Sequence, residues 1–288
     1  MKQSNDSRTG NALRRLAPGL AAVAFLCTAG TAAAQDASTG FIKPGEDTLT
    51  LNLGGILNSF DTTVQFNGDT GKGSTINLEE SGLSKDKTSL YASGTWRFLP
   101  HHRIDAQYWG VKRSGSQQVT RDIVIDGNVV PIGASMSVEN TTQFFTVDYR
   151  YSFVKHEDLE IAGLLGVYGG QFKYDFSGTG NDGFASKTLS KNTSTTVPLP
   201  LIGATLDWYP DPRWRIGADI TGMKAKMGDT DGSVLLVSAS TDYMLLRNLG
   251  IGARYMYTDV SATVTKSDFN GDLTFRTNSV SLYAKLMF

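Results

Sequence analysis

Ten stretches of this chain alternate apolar and polar residues with a period of two, as strands do when their two faces meet different surroundings. In the first, Leu49, Leu51, Leu53 and Leu57 alternate with Thr50, Asn52, Gly54 and Asn58, interrupted only by Ile56. The second sets Leu90, Ala92, Gly94, Trp96 and Phe98 against Tyr91, Ser93, Thr95 and Arg97. The clearest runs from Phe145 to Phe153, with Val147, Tyr149 and Tyr151 on the apolar side and Thr146, Asp148, Arg150 and Ser152 on the other. The last ends the chain, with Val280, Leu282, Ala284, Leu286 and Phe288 opposite Ser281, Tyr283 and Lys285. The other six centre on 103–108, 159–168, 202–208, 214–221, 235–245 and 249–258. No helical periodicity persists for three turns after Gln35.

The connections alternate in length. Segments 99–102, 154–158, 210–213 and 246–248 are tight turns, whereas 61–87, 113–141, 172–196, 224–232 and 260–272 are long and polar. A closed antiparallel up-and-down β-barrel that crosses a membrane has this form, with short turns on one side and longer loops on the other. About ten strands are expected, and a hairpin more or less would make eight or twelve. Asp126-Gly127-Asn128 signals a further hairpin inside the second long stretch. Pro131 interrupts its return arm, so it reads as an external extension rather than as two more spans. Trp96, Phe98, Tyr151, Phe153, Trp208, Trp214 and Phe288 fall beside the short turns, and Tyr108, Phe145, Tyr255 and Tyr257 toward the long stretches. Two such girdles suit the two membrane interfaces, where an apolar ring with a polar tip is at home. The competing account is core packing in a soluble β-protein.

Composition narrows the picture. Residues 1–34 have a basic start (Lys2, Arg8, Arg14, Arg15), a short apolar core and Ala32-Ala33-Ala34, which predicts a cleaved secretory signal rather than a start-transfer anchor. Cys27, the one cysteine of the chain, lies within it and lacks a lipoprotein context, so the exported part is expected to use no disulfide. Residues 35–47 then form an N-terminal segment on the short-turn side, and 48–288 the barrel. A formal net charge of −1 and the lack of any basic run argue against nucleic acid as a partner. No stretch after the signal reaches 18 consecutive apolar residues, so helical spans are excluded.

The polar faces carry Arg97, Arg103, Arg150, Arg215, Arg254 and Lys285 together with Asp105, Asp148, Glu160, Asp207, Asp219 and Asp242. On the lipid face each charge would cost about 2–4 kcal/mol, so they are expected inside the barrel. Paired there, they would plug its lower half; unpaired, they would line a narrow conduit. Catalytic chemistry is poorly represented. His101, His102 and His156 all fall in short turns, away from a surface site, and make no paired-ligand spacing. Asp61, Asp69, Glu79 and Glu80 could gather around a cation, with solvated loop charges as the plainer account. Gly54-Gly55 and Gly178-Thr179-Gly180 have no helix after them to cradle a phosphate. Neither a cofactor nor a metal is expected, and no catalytic residue is assigned.

The final segment, with Tyr283, Leu286 and Phe288 at alternating positions and an aromatic last residue, resembles the terminal strand of Gram-negative outer-membrane β-barrels. The resemblance implies recognition by the barrel-assembly machinery. Ile76-Asn77-Leu78-Glu79, Trp96-Arg97-Phe98 and His102-Arg103-Ile104-Asp105 make the first half similar to poorly characterised small proteobacterial barrel proteins, which implies a barrel without implying an activity. The expectation is a non-enzymatic outer-membrane protein, in contact with lipid and lipopolysaccharide, whose long external loops carry surface interactions. A narrow solute channel and a surface lipid- or peptide-hydrolysing barrel are the alternatives.

Overall fold

The computed structural model describes residues 40–43, 45–67, 73–118, 122–125, 128–181, 186–265 and 270–288. The expected signal 1–34, with Cys27, lies outside them, as does Asp69. Ten long strands form the wall: β1 (Leu49–Phe66), β3 (Asp86–Leu99), β4 (His102–Gln118), β7 (Ser135–Lys155), β8 (Leu159–Asn181), β9 (Ser186–Asp211), β10 (Trp214–Met227), β11 (Thr230–Met244), β12 (Leu249–Thr265) and β13 (Asn270–Met287). Each pairs antiparallel with its sequence neighbour, and β13 returns to β1 from Thr50↔Met287 to Phe66↔Gly271. The sheet therefore closes on itself. Closure leaves no bare backbone edge in hydrocarbon.

Alternation places the side chains as the sequence predicts. Leu53, Leu57, Leu90, Val147, Leu165, Ile202, Ile220, Leu235, Ile251 and Leu282 are exposed on the outside, and Trp96, Phe98, Tyr151, Phe153, Trp208, Trp214 and Phe288 ring the short-turn end. Tyr108, Phe145 and Tyr255 mark the upper limit of this belt. Among the described residues none covers these rows, and such a continuous apolar girdle is what lipid selects.

The long polar stretches differ from expectation. Most of their length is strand, not loop: β8 and β9 stay paired as far as Asn181↔Ser186, β10 and β11 as far as Met227↔Thr230, and β12 and β13 as far as Thr265↔Asn270. A transmembrane strand needs about 9–11 residues, whereas β8 has 23 and β9 has 26. Because the opposite ends are tied by tight turns, the surplus rises on one side as a continuation of the wall. Longer connections remain between β1 and β3 and between β4 and β7. In the first, β2 (Thr75–Asn77) pairs with Thr63–Gln65 of β1 above the point where β3 begins, and a turn over 78–82 fills the gap toward β4. There the Gly82 carbonyl would lie 1.8 Å from a Cβ at Gly115, so the patch fits only against glycine. In the second, β5 (Ile123–Ile125) and β6 (Asn128–Val130) form the expected separate hairpin, outside the wall. Its turn residues Asp126 and Gly127 lie outside the described residues.

Candidate functional site

The interior divides into two zones. In the zone nearest the short turns, inward positions of nine strands bring the twelve expected charged residues together. Arg97 meets Glu160 in a fork, with Nη1 and Nη2 donating to Oε1 and Oε2 at 3.0 and 2.9 Å. Glu160 also faces Arg103 Nη1 at 3.5 Å and accepts from the Ser152 hydroxyl. Arg103 goes on to Asp207 at 2.8 Å, to Thr205 at 3.2 Å and to Asp105 at 3.5 Å. Arg150 sits among Asp148, Asp105 and Asp219 at 2.6, 3.1 and 3.0 Å, and Asp219 reaches Arg254 at 2.9 Å. Nine of the twelve thus form one continuous set of contacts running from Arg97 to Arg254.

The remaining three go elsewhere. Lys285 pairs with Asp242, which also accepts from Tyr283 Oη at 2.8 Å. The Tyr283 ring lies across Gly252, where any Cβ would come within 2.3 Å of it, so this inward aromatic depends on a glycine neighbour. Arg215 pairs with Asp47 at 3.4 Å, a residue that precedes β1 and that strand periodicity could not place. Around these charges lies a cavity of about 130 Å³, and a second of about 60 Å³ sits above it between Arg150, Arg254, Leu164, Leu201, Leu236 and Met256.

The upper zone is largely apolar. Phe60 and Phe275 belong to it, as do Trp109 and Phe144, Tyr168 and Phe172, and Val260 and Val264, all buried on the inside. Phe275 of β13 meets Phe144 of β7 at 5.0 Å and Phe172 of β8 at 5.5 Å between ring centroids, although these strands stand on opposite sides of the ring. Trp109 adds a contact to Phe144 at 4.4 Å and Phe60 one to Phe275 at 5.7 Å. The rings meet across the bore. Above the lipid belt the polar face turns outward to water and the apolar face turns in. Ile56, read as an interruption, keeps its alternation and begins this inward apolar row with Phe60, Val64 and Phe66.

One ion pair is embedded there. Arg113, 1% exposed, meets Glu79 at 2.5 Å, Thr62 Oγ1 at 3.0 Å and Asn140 Oδ1 at 3.2 Å, and lies 4.0 Å above the Phe60 ring. Glu79 in turn accepts from the Thr62 backbone N–H at 2.7 Å. It is therefore neither a solvated loop charge nor a partner of Asp61 and Glu80, which are exposed; it ties the first connection to the wall. Extending the β4 alternation past Tyr108 would have put Arg113 inside. His101 and His102 lie in the short turns, their Nδ1 atoms 2.7 Å from the Ser152 carbonyl and 2.6 Å from Tyr149 Oη, and His156 is exposed. Among the described residues, no group of three or more His, Cys, Asp and Glu side chains could hold a metal ion. Tyr283 points into the barrel, while Leu286 and Phe288 lie on its outer face.

No protein-family model matches the chain, and no curated protein sequence does. Solved structures do resemble it. The outer membrane protease OmpT from Escherichia coli superposes with a TM-score of 0.55 at 11% identity, over 87% of this chain and 100% of that one. The translocator domain of the autotransporter NalP from Neisseria meningitidis gives 0.42 at 12% identity, over 83% of this chain and 88% of its own. OprG from Pseudomonas aeruginosa gives 0.34 at 12%, over 83% and 95%. The fold is that of the outer-membrane β-barrels, and with its lipid-facing belt it places the chain in the outer membrane.

Proposed function

We propose that this protein is a non-enzymatic outer-membrane barrel, closed to solutes, whose working surface is the wall and hairpins that stand above the membrane. One observation supports this above the others: aromatic rings from opposite walls touch across the upper bore, with Phe144, Phe172 and Phe275 at its centre. A path for ions or sugars would have to part a packed apolar core, and such cores are as dense as organic crystals. The charged zone below, with its carboxylates and guanidinium groups in mutual contact, adds a second obstruction.

The external wall is polar and mixed in charge, with Lys112 beside Glu139 and Arg276 beside Asp259 just above the belt, where lipopolysaccharide headgroups lie. Contact with that headgroup layer is the partner this surface suits. An enzymatic role finds little support, because all three histidines lie at the short-turn face. Purified barrel in a planar bilayer is expected to give no steady single-channel openings. Persistent openings would overturn the closed reading, and turnover of lipid A or a peptide by the pure protein would overturn the non-enzymatic one.

A further inference from the structure

The short segment before β1 does not hang free. Its Thr48 N–H donates to the Phe288 carbonyl and its Thr48 carbonyl accepts from the Arg97 N–H, so it leaves the wall at the foot of β1. From there it reaches strands on the far side of the ring. Asp47 pairs with Arg215 of β10; the Gly45 carbonyl accepts from Lys155 Nζ, at the end of β7, at 3.0 Å; and the Phe41 ring lies 4.8 Å from the Arg213 guanidinium, in the turn between β9 and β10. A chain that starts at β1 and touches β7, β10 and the turn before β10 must cross the mouth. Gly45 and Asp47 are themselves buried. Gly45 holds φ at 73°, a left-handed bend that favours glycine, and a Cβ there would meet Lys155 Cε at 3.2 Å.

Behind this crossing lies the cavity of about 130 Å³, which Asp47, Arg215 and Lys285 help to line. Its lining charges are six cations (Arg97, Arg103, Arg150, Arg215, Arg254, Lys285) and six carboxylates (Asp47, Asp105, Asp148, Asp207, Asp219, Asp242). Five of those carboxylates belong to the wall, where Glu160, paired with Arg97 and Arg103, makes a sixth; Asp47 alone is carried in by the crossing segment. Its contact with Arg215 is loose, and the Arg215 Nε and Nη2 hydrogens have no acceptor among the described residues although the side chain is only 9% exposed. Withdrawing the segment would leave the Arg215 guanidinium without a carboxylate partner among the described residues, in a polar cavity at the short-turn end. A buried cation in that state recruits an anion, since an unpaired charge there is costly.

We propose that residues 45–48 are a releasable strap over a binding site for a small oxyanion, with the Asp47 carboxylate as its tethered occupant and Arg215 as its receptor. The site faces the short-turn side, below the aromatic seal, so it serves binding from that compartment and is independent of whether the barrel conducts. An incoming carboxylate or phosphate group would replace Asp47 on Arg215 and keep the strap open.

Cysteine labelling tests this directly. Ser240 lines the cavity and makes none of the ion pairs, and Cys27 is the one native cysteine, so Ser240→Cys in a Cys27→Ser background reports one site. With an uncharged methanethiosulfonate reagent on the folded protein, the reporter should react slowly with the strap intact and at least tenfold faster with Asp47→Ala. Lys155→Met, which cuts the strap's tie at Gly45 without touching the cavity charges, should also accelerate it. Inorganic phosphate, at constant ionic strength, should slow labelling in the Asp47→Ala protein but not when Arg215→Gln is added. Equal rates with and without Asp47 and Lys155 would overturn the strap. Acceleration without Arg215-dependent protection by phosphate would overturn the oxyanion site.

Discussion

Two halves of one wall obey opposite rules. Near the short turns, β13 shows Leu286, Ala284, Leu282 and Val280 to the outside and Lys285, Tyr283 and Ser281 to the inside. Farther along the same strand, Asn278, Arg276 and Thr274 face out and Phe275 and Leu273 face in. The pairing with β1 runs unbroken through this change, so no register slip produces it. The pleat decides which residues share a face, and the medium outside decides which face is apolar. Lipid outside demands a polar or paired interior below. Water outside lets the upper barrel fold around a largely apolar core as a soluble β-protein does.

Large and similar losses from opposite chemistry are the first test of that contrast. In the lower half, Glu160→Ala would leave Arg97 without its carboxylate partner and take one of three from Arg103, and is expected to destabilise by about 3–5 kcal/mol. In the upper half, Phe275→Ala removes the ring that joins opposite walls and should also cost about 3–5 kcal/mol. Reversible unfolding of the barrel in lipid vesicles measures both. A loss below about 1 kcal/mol for Phe275→Ala would mean that the upper interior is not a packed core.

A smaller effect locates the boundary. Val147 and Gln143 both face outward on β7, on either side of Phe145. Val147→Arg places a charge in hydrocarbon just below the membrane edge and should cost about 1–3 kcal/mol, between the interfacial and midplane penalties. Gln143→Arg, in water by this account, should stay within about 0.5 kcal/mol of the parent. Equal penalties at the two positions would move the membrane edge above Gln143 and dissolve the distinction between the halves.

The lower half was legible in the sequence because lipid-facing rows such as Phe145 to Phe153 are apolar at every second residue. Its charged interior was legible for the same reason, since Arg97, Asp148 and Asp219 sit on the complementary face. The upper half was not. There the alternation continues but its apolar face is interleaved with Thr62, Arg113 and Asn140, which are polar and buried through mutual hydrogen bonds. Residues such as Asp61, Thr63 and Gln65 then read as loop, although they are the wet face of β1. Partners set by crossings rather than by period, Asp47 on Arg215 and Glu79 on Arg113, leave no periodic trace at all. Tyr283 shows the intermediate case: its inward direction was evident, and the glycine that admits it was not.

Acid makes the finest distinction, between the wall and the strap that crosses it. Asp47 precedes the first span; burial pushes its carboxyl up, but the Arg215 cation, the Thr50 hydroxyl, which donates to it at 2.7 Å, and the more distant Arg97 and Lys285 outweigh this and hold it below 3.8. A carboxyl held low contributes stability that is complete above its unfolded value and disappears as pH falls through the lowered folded value. Asp47→Asn keeps the shape and removes the charge, so it should lower stability at neutral pH by about 1.5–3 kcal/mol, the worth of a hydrogen bond to a charged group. The gap between parent and Asp47→Asn should hold level from pH 7 to pH 5 and close only below 3.8. Unfolding midpoints for the two proteins across that range provide the check. A gap that already narrows between pH 7 and pH 5 would show that the Arg215 pair does not fasten the strap, whatever covers the mouth.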